Sequence, residues 1–231
     1  MSYLTTAIVV AAGNGDRMKS EIRKPFLKIG GRPIITYCLD LFERSASIDN
    51  IVLVLNRNDL EYYRNEIAGE YEYPKIVKIV EGGGTRQESV YNGLIECPFC
   101  DIVLIHDAAR PFIDEQTLIS SISDARDYGA SVVGVPMSDT VKMTDEDGFI
   151  ESTLKRENIW RAQTPQTFRA KLFLEASEYA REKGVICTDD ACLMESFGLK
   201  VKMTRGNDHN IKITTPKDLL LAEQILKEIK A

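Results

Sequence analysis

Short apolar runs alternate with amphipathic stretches over the first 136 residues of the chain. Five runs rich in aliphatic side chains span 7–12, 51–55, 76–80, 102–105 and 131–136. Runs of this length, bounded by polar or glycine-rich sequence, are typical of strands that are covered on both faces. The sequence therefore predicts five buried β-strands in this part of the chain.

Helical patterns lie between these runs. Pro33 opens a stretch in which apolar residues recur at i, i+3, i+4, i+7 and i+8 from Ile34, which predicts a helix with one buried face. A polar amphipathic helix is predicted at about 59–70. Thr85 with Glu88 forms a capping-box pattern, and Asp114 is predicted to cap a helix that runs to about 128. Strands and helices that alternate in this way predict an α/β fold with a doubly wound, mostly parallel sheet.

The pattern changes after residue 136. Residues 139–158 predict a polar β-hairpin arm with its turn at 145–148. Three helices are predicted in the rest of the chain: one at about 170–182, a short one capped by Thr188 or Asp189, and one that begins at Pro216. Strands are predicted at 200–204 and 210–213. No repeat, low-complexity segment or linker divides the chain, so we expect one domain over 1–231. Because an isolated hairpin is marginally stable in water, we expect the arm to pack on a second subunit.

Three unusual loops follow the first, third and fourth predicted strands. They carry Gly13 with Gly15, the run 82–84 of three glycines, and Asp107 with Arg110. Ligands of parallel α/β sheets bind beyond the carboxyl ends of the strands. The three loops therefore predict a binding site at one edge of the sheet.

The loop after the first strand has the features of a phosphate site. Its glycines let a ligand approach the backbone, and successive free N–H groups form an anion-binding concavity. Six basic residues against one acid, Glu21, lie between positions 17 and 32; they are Arg17, Lys19, Arg23, Lys24, Lys28 and Arg32. Met18 stands where a dinucleotide loop needs its third glycine, which disfavours a redox enzyme, and no Walker A motif is present. An ordinary strand-to-helix turn with solvated basic side chains is the alternative.

Composition limits the possible partners and compartments. The net charge is −6, which argues against nonspecific binding to nucleic acid, and no apolar run is long enough to span a membrane. The first residues enter a strand directly rather than a secretion signal, so we expect a cytoplasmic protein. Five cysteines favour reduced thiols over a disulfide framework. Cys97 and Cys100 have C-x-x-C spacing, but a zinc or redox role is the weaker interpretation because no second such pair occurs.

Seven motifs follow one another from the first strand to the last helix. They are Ala11-Ala12-Gly13-x-Gly15-x-Arg17-Met18 with Lys24, Gly83-x-x-Arg86-x-x-Ser89-Val90, His106-Asp107-Ala108-Ala109-Arg110-Pro111, Asp139-Thr140-Val141-Lys142, Thr164-Pro165-Gln166-Thr167-Phe168, Thr188-Asp189-Asp190-Ala191 and Asn210-Ile211-Lys212-Ile213-Thr214. In these motifs the chain resembles the 2-C-methyl-D-erythritol 4-phosphate cytidylyltransferases of the non-mevalonate isoprenoid pathway. The resemblance implies the Rossmann-like nucleotidyltransferase fold.

The resemblance also implies a reaction and the residues that carry it. CTP and methylerythritol phosphate would give the CDP-linked alcohol and pyrophosphate with Mg²⁺, by in-line attack of the substrate phosphate on the α-phosphorus. The residues that match the family's catalytic cations are Arg17, Lys24, Arg156 and Lys212. Cations suit this chemistry because both reactants are anions.

The remaining site residues follow from the same resemblance. The nucleotide-binding positions are Ala11, Ala12, Gly13, Asn14, Gly15, Gly83, Arg86, Ser89 and Asp107, of which Asp107 would also bind Mg²⁺. The positions for the alcohol phosphate are Asp107, Arg110, Thr140, Arg156, Thr164 and Thr188. In the family Thr140 and Arg156 reach the site from the neighbouring subunit, which implies a homodimer through the arm. The chain departs from the family in Arg23 and Pro25 beside Lys24, and in Gly84.

Other interpretations stay open. A ribitol-5-phosphate cytidylyltransferase has the same fold, although the Ala108-Ala109 pair favours methylerythritol phosphate. A sugar-phosphate nucleotidyltransferase for another base, and a non-catalytic nucleotide-binding domain, are further alternatives. Lys24 and Lys212 could be solvated, Asp107 could cap a turn, and Thr140 and Thr164 could be plain strand residues. His106 is interpreted as structural or as a partner of a site residue, because a phosphate monoester needs no base at neutral pH.

Overall fold

The computed structural model describes residues 3–13 and 23–230. Its strands are β1 (Thr5–Ala11), β2 (Lys28–Ile29), β3 (Arg32–Pro33), β4 (Asn50–Leu55), β5 (Ile76–Glu81), β6 (Ile102–Asp107), β7 (Ala130–Pro136), β8 (Lys142–Thr144), β9 (Ile150–Thr153), β10 (Trp160–Arg169) and β11 (Lys202–Arg205). Its α-helices are α1 (Ile34–Arg44), α2 (Leu60–Tyr62), α3 (Arg86–Ile95), α4 (Glu115–Tyr128), α5 (Ala170–Lys183), α6 (Asp190–Ser196) and α7 (Pro216–Lys230). Short 3₁₀ turns lie at Lys24–Phe26, Arg57–Asp59 and Arg156–Asn158.

Seven strands form one sheet in the order β11-β7-β10-β6-β1-β4-β5. β10 pairs antiparallel with both β6 and β7, and the other strand pairs of the sheet are parallel. The predicted doubly wound, mostly parallel sheet is therefore confirmed. From β1 the chain first adds β4 and β5 on one side and then returns to place β6 on the other. The strand order thus reverses between β1 and β6, which is where such sheets bind ligands.

Both faces of the sheet are covered by apolar side chains. Ala7 and Val9 of β1 join one buried cluster with α1, whereas Ile8 joins a second cluster with α3 and α5. This alternation explains why β1 has no polar face in the sequence. Gly93 lets α3 approach closely, since a Cβ at this position would lie 2.8 Å from side-chain carbons of Ile8 and Val54.

Most predicted elements are present in the structure. The five predicted strands correspond to β1, β4, β5, β6 and β7 with shifts of one or two residues. The Thr85–Glu88 capping box is formed at α3, and Asp114 caps α4 by accepting a hydrogen bond from the Thr117 N–H. Asp189 rather than Thr188 caps α6.

One predicted strand and two predicted helices differ from the structure. Residues 210–213 form no strand, because their backbone bonds to the Asn207 side chain and to Ala109 O instead of a ladder. The helix predicted at 59–70 is α2 followed by a π-helical turn at Tyr63–Ile67, which buries Tyr63 and Ile67 together. Pro33 precedes α1 rather than starting it.

The predicted hairpin arm is formed by the antiparallel strands β8 and β9. Asp145 organises its turn, where its side chain accepts hydrogen bonds from the N–H groups of Asp147 and Phe149. Met143, Phe149 and Ile150 are exposed on the arm by 49%, 73% and 63%. The arm thus presents apolar side chains that its own chain leaves uncovered.

The cysteines follow the prediction only in part. The structure joins Cys187 and Cys192 in a disulfide, so the expectation of reduced thiols is wrong for this pair, which the α6 cap brings together. Cys38, Cys97 and Cys100 are free thiols. Across 3–13 and 23–230, no cluster of three or more His, Cys, Asp or Glu residues could hold a metal. Among the described helices, none combines the length and apolarity that a membrane span requires.

Candidate functional site

A cleft of about 710 Å³ opens at the carboxyl ends of β1, β5 and β6. Gly13 at the end of β1, the glycines at 82–84 and Asp107 all line it, so the described parts of the three loops converge at one edge of the sheet as predicted. The sequence-predicted residues that line the cleft are Ala11, Ala12, Gly13, Lys24, Gly83, Arg86, Ser89, Asp107 and Lys212. Arg17, Asn14 and Gly15 lie outside the described residues.

The loop after β5 has no room for a side chain at Gly82 or Gly83. A Cβ at Gly82 would lie 2.3 Å from the Ala12 Cβ, and one at Gly83 would lie 2.4 Å from the Glu88 Cβ. The Ser89 hydroxyl accepts a hydrogen bond from the Gly83 N–H at 3.1 Å and donates to Thr85 O at 2.8 Å. Ser89 therefore shapes the loop on which a flat base could lie, and its hydroxyl is already engaged.

Asp107 is the buried anion of the cleft. Its register opposite Val10 places it beside the end of β1. Oδ1 lies 3.2 Å from Arg86 Nε, and Oδ2 lies 2.7 Å from Lys212 Nζ and 4.0 Å from Arg110 Nε. Burial alone would raise the pKa of Asp107, but attraction to Arg86 and Lys212 outweighs burial and holds the pKa well below its usual range. The carboxylate is therefore charged at neutral pH.

Arg86 connects Asp107 to a second buried carboxylate that sequence reasoning did not single out. Its two terminal nitrogens lie 2.9 and 2.8 Å from the two oxygens of Asp190, which is 1% exposed. Attraction to both carboxylates outweighs the burial of the guanidinium and raises the pKa of Arg86. The available signal was the second acid of Thr188-Asp189-Asp190, since only Asp189 is needed for the cap.

His106 and Thr164 fix the backbone on which Asp107 stands. His106 Nε2 lies 3.0 Å from Arg110 O and therefore carries the proton, so Nδ1 accepts from the Thr164 hydroxyl at 3.1 Å. The same hydroxyl accepts from the Asp107 N–H at 3.1 Å. Burial lowers the pKa of His106 to about 4, which keeps the ring neutral. His106 thus has the structural role that the sequence favours, and the hydroxyl of Thr164 is engaged within this network.

Lys212 is positioned by the segment that was expected to be a strand. Arg110 Nη1 donates to Asn210 O at 2.8 Å, and Asn210 Nδ2 donates to Thr164 O at 2.8 Å. The Ile213 N–H donates to Ala109 O at 2.9 Å. These bonds attach both flanks of Lys212 to the end of β6. Arg110 therefore supports the site from beside the cleft rather than lining it.

Five predicted substrate residues are not among those that line the cleft; they are Arg110, Thr140, Arg156, Thr164 and Thr188. Thr140 and Arg156 are both exposed at the base of the arm, where Arg156 Nη1 donates to Ser138 O at 3.1 Å. Thr188 is exposed directly before the α6 cap. The described nucleotide-side residues therefore line one cleft of a single chain, and Thr140 and Arg156 are not among its lining residues.

The donor set of the cleft suits one magnesium ion that is shared with substrate. Mg²⁺ in phosphate-transfer sites usually takes one or two protein carboxylates and completes its shell with water and substrate phosphates. Asp107 offers one charged carboxylate and lines the cleft. The cleft residues that the structure describes could thus hold Mg²⁺ only together with a phosphate ligand.

Comparisons with known proteins agree over the whole chain. A family model described as 2-C-methyl-D-erythritol 4-phosphate cytidylyltransferase matches residues 5–228. A protein of that name from Clostridium novyi is 47% identical over 224 residues, which are 97% of each chain. Another from Clostridioides difficile is 44% identical over 96% of this chain and 93% of its own.

Solved structures give the same result. The 4-diphosphocytidyl-2C-methyl-D-erythritol synthase of Anaerococcus prevotii superposes with a TM-score of 0.88 at 34% identity, covering 98% of this chain and 97% of its own. The 2-C-methyl-D-erythritol 4-phosphate cytidylyltransferase of Francisella tularensis gives 0.81 at 31% identity, with coverage of 96% and 99%.

The Thr164 network predicts a specific stability effect. Thr164→Val removes the hydroxyl and leaves the Asp107 N–H and His106 Nδ1 buried without partners, so we expect a loss of about 2–4 kcal/mol of unfolding free energy. Thr164→Ser keeps the hydroxyl and should lose about 1 kcal/mol for the missing methyl group. Urea unfolding of both variants measures the difference, and equal losses would contradict the network.

Proposed function

Because this chain belongs to the 2-C-methyl-D-erythritol 4-phosphate cytidylyltransferase family, we propose that it transfers CMP from CTP to 2-C-methyl-D-erythritol 4-phosphate and releases pyrophosphate. The observation that carries this proposal is the cleft at the β1/β6 reversal point, where Arg86 and Lys212 pair with the buried Asp107 and Lys24 lines the same cleft. A cationic cleft beside a side-chain-free loop suits a nucleoside triphosphate.

The cations of the cleft would hold two anions together and stabilise the charge that develops at the α-phosphorus. Lys212 is paired with Asp107 Oδ2 at 2.7 Å, and a phosphate oxygen would take that place in the complex. We assign Lys24 and Arg17 to the transferring phosphate, for which a lysine supplies a point charge and an arginine a bidentate contact. No base is required, since the attacking phosphate monoester is ionised at neutral pH.

The base would lie on backbone rather than on side chains. The backbone of Ala11, Ala12 and Gly83 lines the cleft, and the Ser89 hydroxyl orients the Gly83 N–H. Gly82 packs closely against Ala12, which excludes a side chain at that position. We propose that this surface reads the cytosine.

We propose Mg²⁺ as the cofactor, held by Asp107 and by the phosphates of CTP. When bound, the ion would neutralise triphosphate charge. The protein's own contribution is to keep the Asp107 carboxylate ionised and oriented, through Arg86 at Oδ1 and the Thr164 hydroxyl at its backbone N–H.

We also propose that the active form is a homodimer in which the arm of one protomer reaches the cleft of its partner. Two observations support this proposal. First, Met143, Phe149 and Ile150 are exposed on the arm. Second, Thr140 and Arg156 at its base are not among the residues that line the cleft of their own chain. Arg156, Thr140 and Thr188 would complete the pocket for the alcohol phosphate.

The expected partners are therefore CTP, the alcohol phosphate and a second copy of the chain, with neither nucleic acid nor membrane required. We also propose a cytoplasmic location, which the free thiols Cys38, Cys97 and Cys100 favour and the Cys187–Cys192 disulfide does not.

A panel of substrates tests the proposed reaction. CTP, ATP, GTP and UTP are each combined with methylerythritol phosphate or ribitol phosphate, with and without Mg²⁺, and pyrophosphate release is measured. We expect release only from CTP with methylerythritol phosphate and Mg²⁺. Turnover with ribitol phosphate alone would instead make the chain a ribitol-5-phosphate cytidylyltransferase.

Complementation between subunits tests the dimer. Arg156→Ala and Lys212→Ala should each be nearly inactive as homodimers. If Arg156 acts on the partner's site, a heterodimer of the two variants has one intact site. Co-expressed chains that assort at random should then recover about a quarter of wild-type activity. No recovery in purified heterodimers would place Arg156 at the site of its own chain.

A further inference from the structure

One turn contacts both ends of the segment that links β1 to Lys24. This turn, residues 56–59, follows β4 and contains the 3₁₀ helix Arg57–Asp59. Asn56 Nδ2 lies 3.4 Å from Ala12 O, where the segment leaves β1. Asp59 Oδ1 lies 2.9 Å from Arg23 Nε, where the segment ends, directly before Lys24. The turn is therefore placed to set the distance between the end of β1 and Lys24.

The Arg23–Asp59 pair is buried but incompletely bonded. The side chain of Asp59 is 5% exposed and that of Arg23 is 26% exposed. Within the described part of the chain, Arg23 Nη1 and Asp59 Oδ2 are buried and make no hydrogen bond. A buried ion pair with unsatisfied atoms contributes little net stability, because desolvation offsets the attraction. The pair is thus better explained by the position that it imposes than by stability.

The Arg23–Asp59 pair helps to fix the position of Lys24. On the C-terminal side of Lys24, Pro25 and Phe26 are buried, and the Phe26 N–H donates to Arg23 O at 2.9 Å. On its N-terminal side, the Arg23 side chain is tied to Asp59. The backbone of Lys24 is therefore anchored on both sides while its side chain lines the cleft.

We propose that Asp59 is a positioning residue which, through Arg23, places the Lys24 ammonium for its contact with the transferring phosphate. This proposal rests on the proposed function, because it gives Lys24 a role in cytidylyl transfer. Asp59 itself is not among the residues that line the cleft, so it would act on catalysis only through Arg23 and Lys24.

The test compares Asp59→Asn in the wild-type and Lys24→Ala backgrounds. In the wild-type background we expect kcat to fall about tenfold with the KM for CTP within about twofold, because misplacing a cation that acts in the transition state affects kcat. In the Lys24→Ala background the same substitution should change kcat by less than about twofold, since the group that it positions is absent. Arg23→Lys should retain most of the activity, and Arg23→Met should match Asp59→Asn.

Two further variants control for the loss of an ion pair elsewhere and for a failure of Asp59→Asn to fold. Asp40→Asn breaks the Arg32–Asp40 ion pair of 2.7 Å outside the cleft and should leave kcat unchanged. Arg23→Met with Asp59→Leu replaces the pair by apolar side chains and preserves packing if Asp59→Asn alone fails to fold. This double variant should show the same tenfold loss of kcat.

Each outcome separates this proposal from the proposed function. A full effect of Asp59→Asn in the Lys24→Ala background, or wild-type kcat in the double variant, would overturn the positioning role while leaving cytidylyl transfer intact. A wild-type protein that does not transfer CMP would instead overturn the proposed function itself.

Discussion

The cleft depends on one buried carboxylate that is surrounded by cations. Arg86, Arg110 and Lys212 come from three different segments and converge on Asp107 at the end of β6. Without that negative charge the three cations would repel one another at short range in a partly buried site. Asp107 therefore balances the charge of these cations when no other anion is present, and a triphosphate with a divalent cation would take over the same charge balance.

The strand order determines where Asp107 and its cations lie in the fold, and local hydrogen-bond networks fix the orientation of their side chains. Parallel pairing sets Asp107 beside Val10, and the neutral His106 and Thr164 bind the backbone of Asp107 and Arg110 from below the cleft. Asp190 holds Arg86 by two hydrogen bonds, so that a single nitrogen remains for Asp107. The buried polar atoms of His106, the Thr164 hydroxyl and Asp190 have partners in these networks, and such satisfied groups favour one geometry over others.

The sequence predicts features that depend on near neighbours and misses those that depend on distant partners. Hydrophobic periodicity and local turn residues predict the strands, the Thr85 capping box and the arm. The parallel strand order predicts that the loops at the strand ends meet at one edge of the sheet. By contrast, Asp190 bonds to a residue 104 positions away, and no local pattern separates it from Asp189. The apolar alternation of 210–213 resembles a strand, but Ile213 packs against α7 while Asn210 fills a buried polar site.

The account is tested most directly by equilibrium binding of CTP to wild type and Asp107→Asn, measured by calorimetry in EDTA and in Mg²⁺. In EDTA, removing the Asp107 charge leaves Arg86 and Lys212 with less compensation, so the variant should bind CTP more tightly than wild type. In Mg²⁺ the order should reverse, because the variant lacks the carboxylate that holds the ion. Weaker binding by the variant under both conditions would contradict the central role given to Asp107.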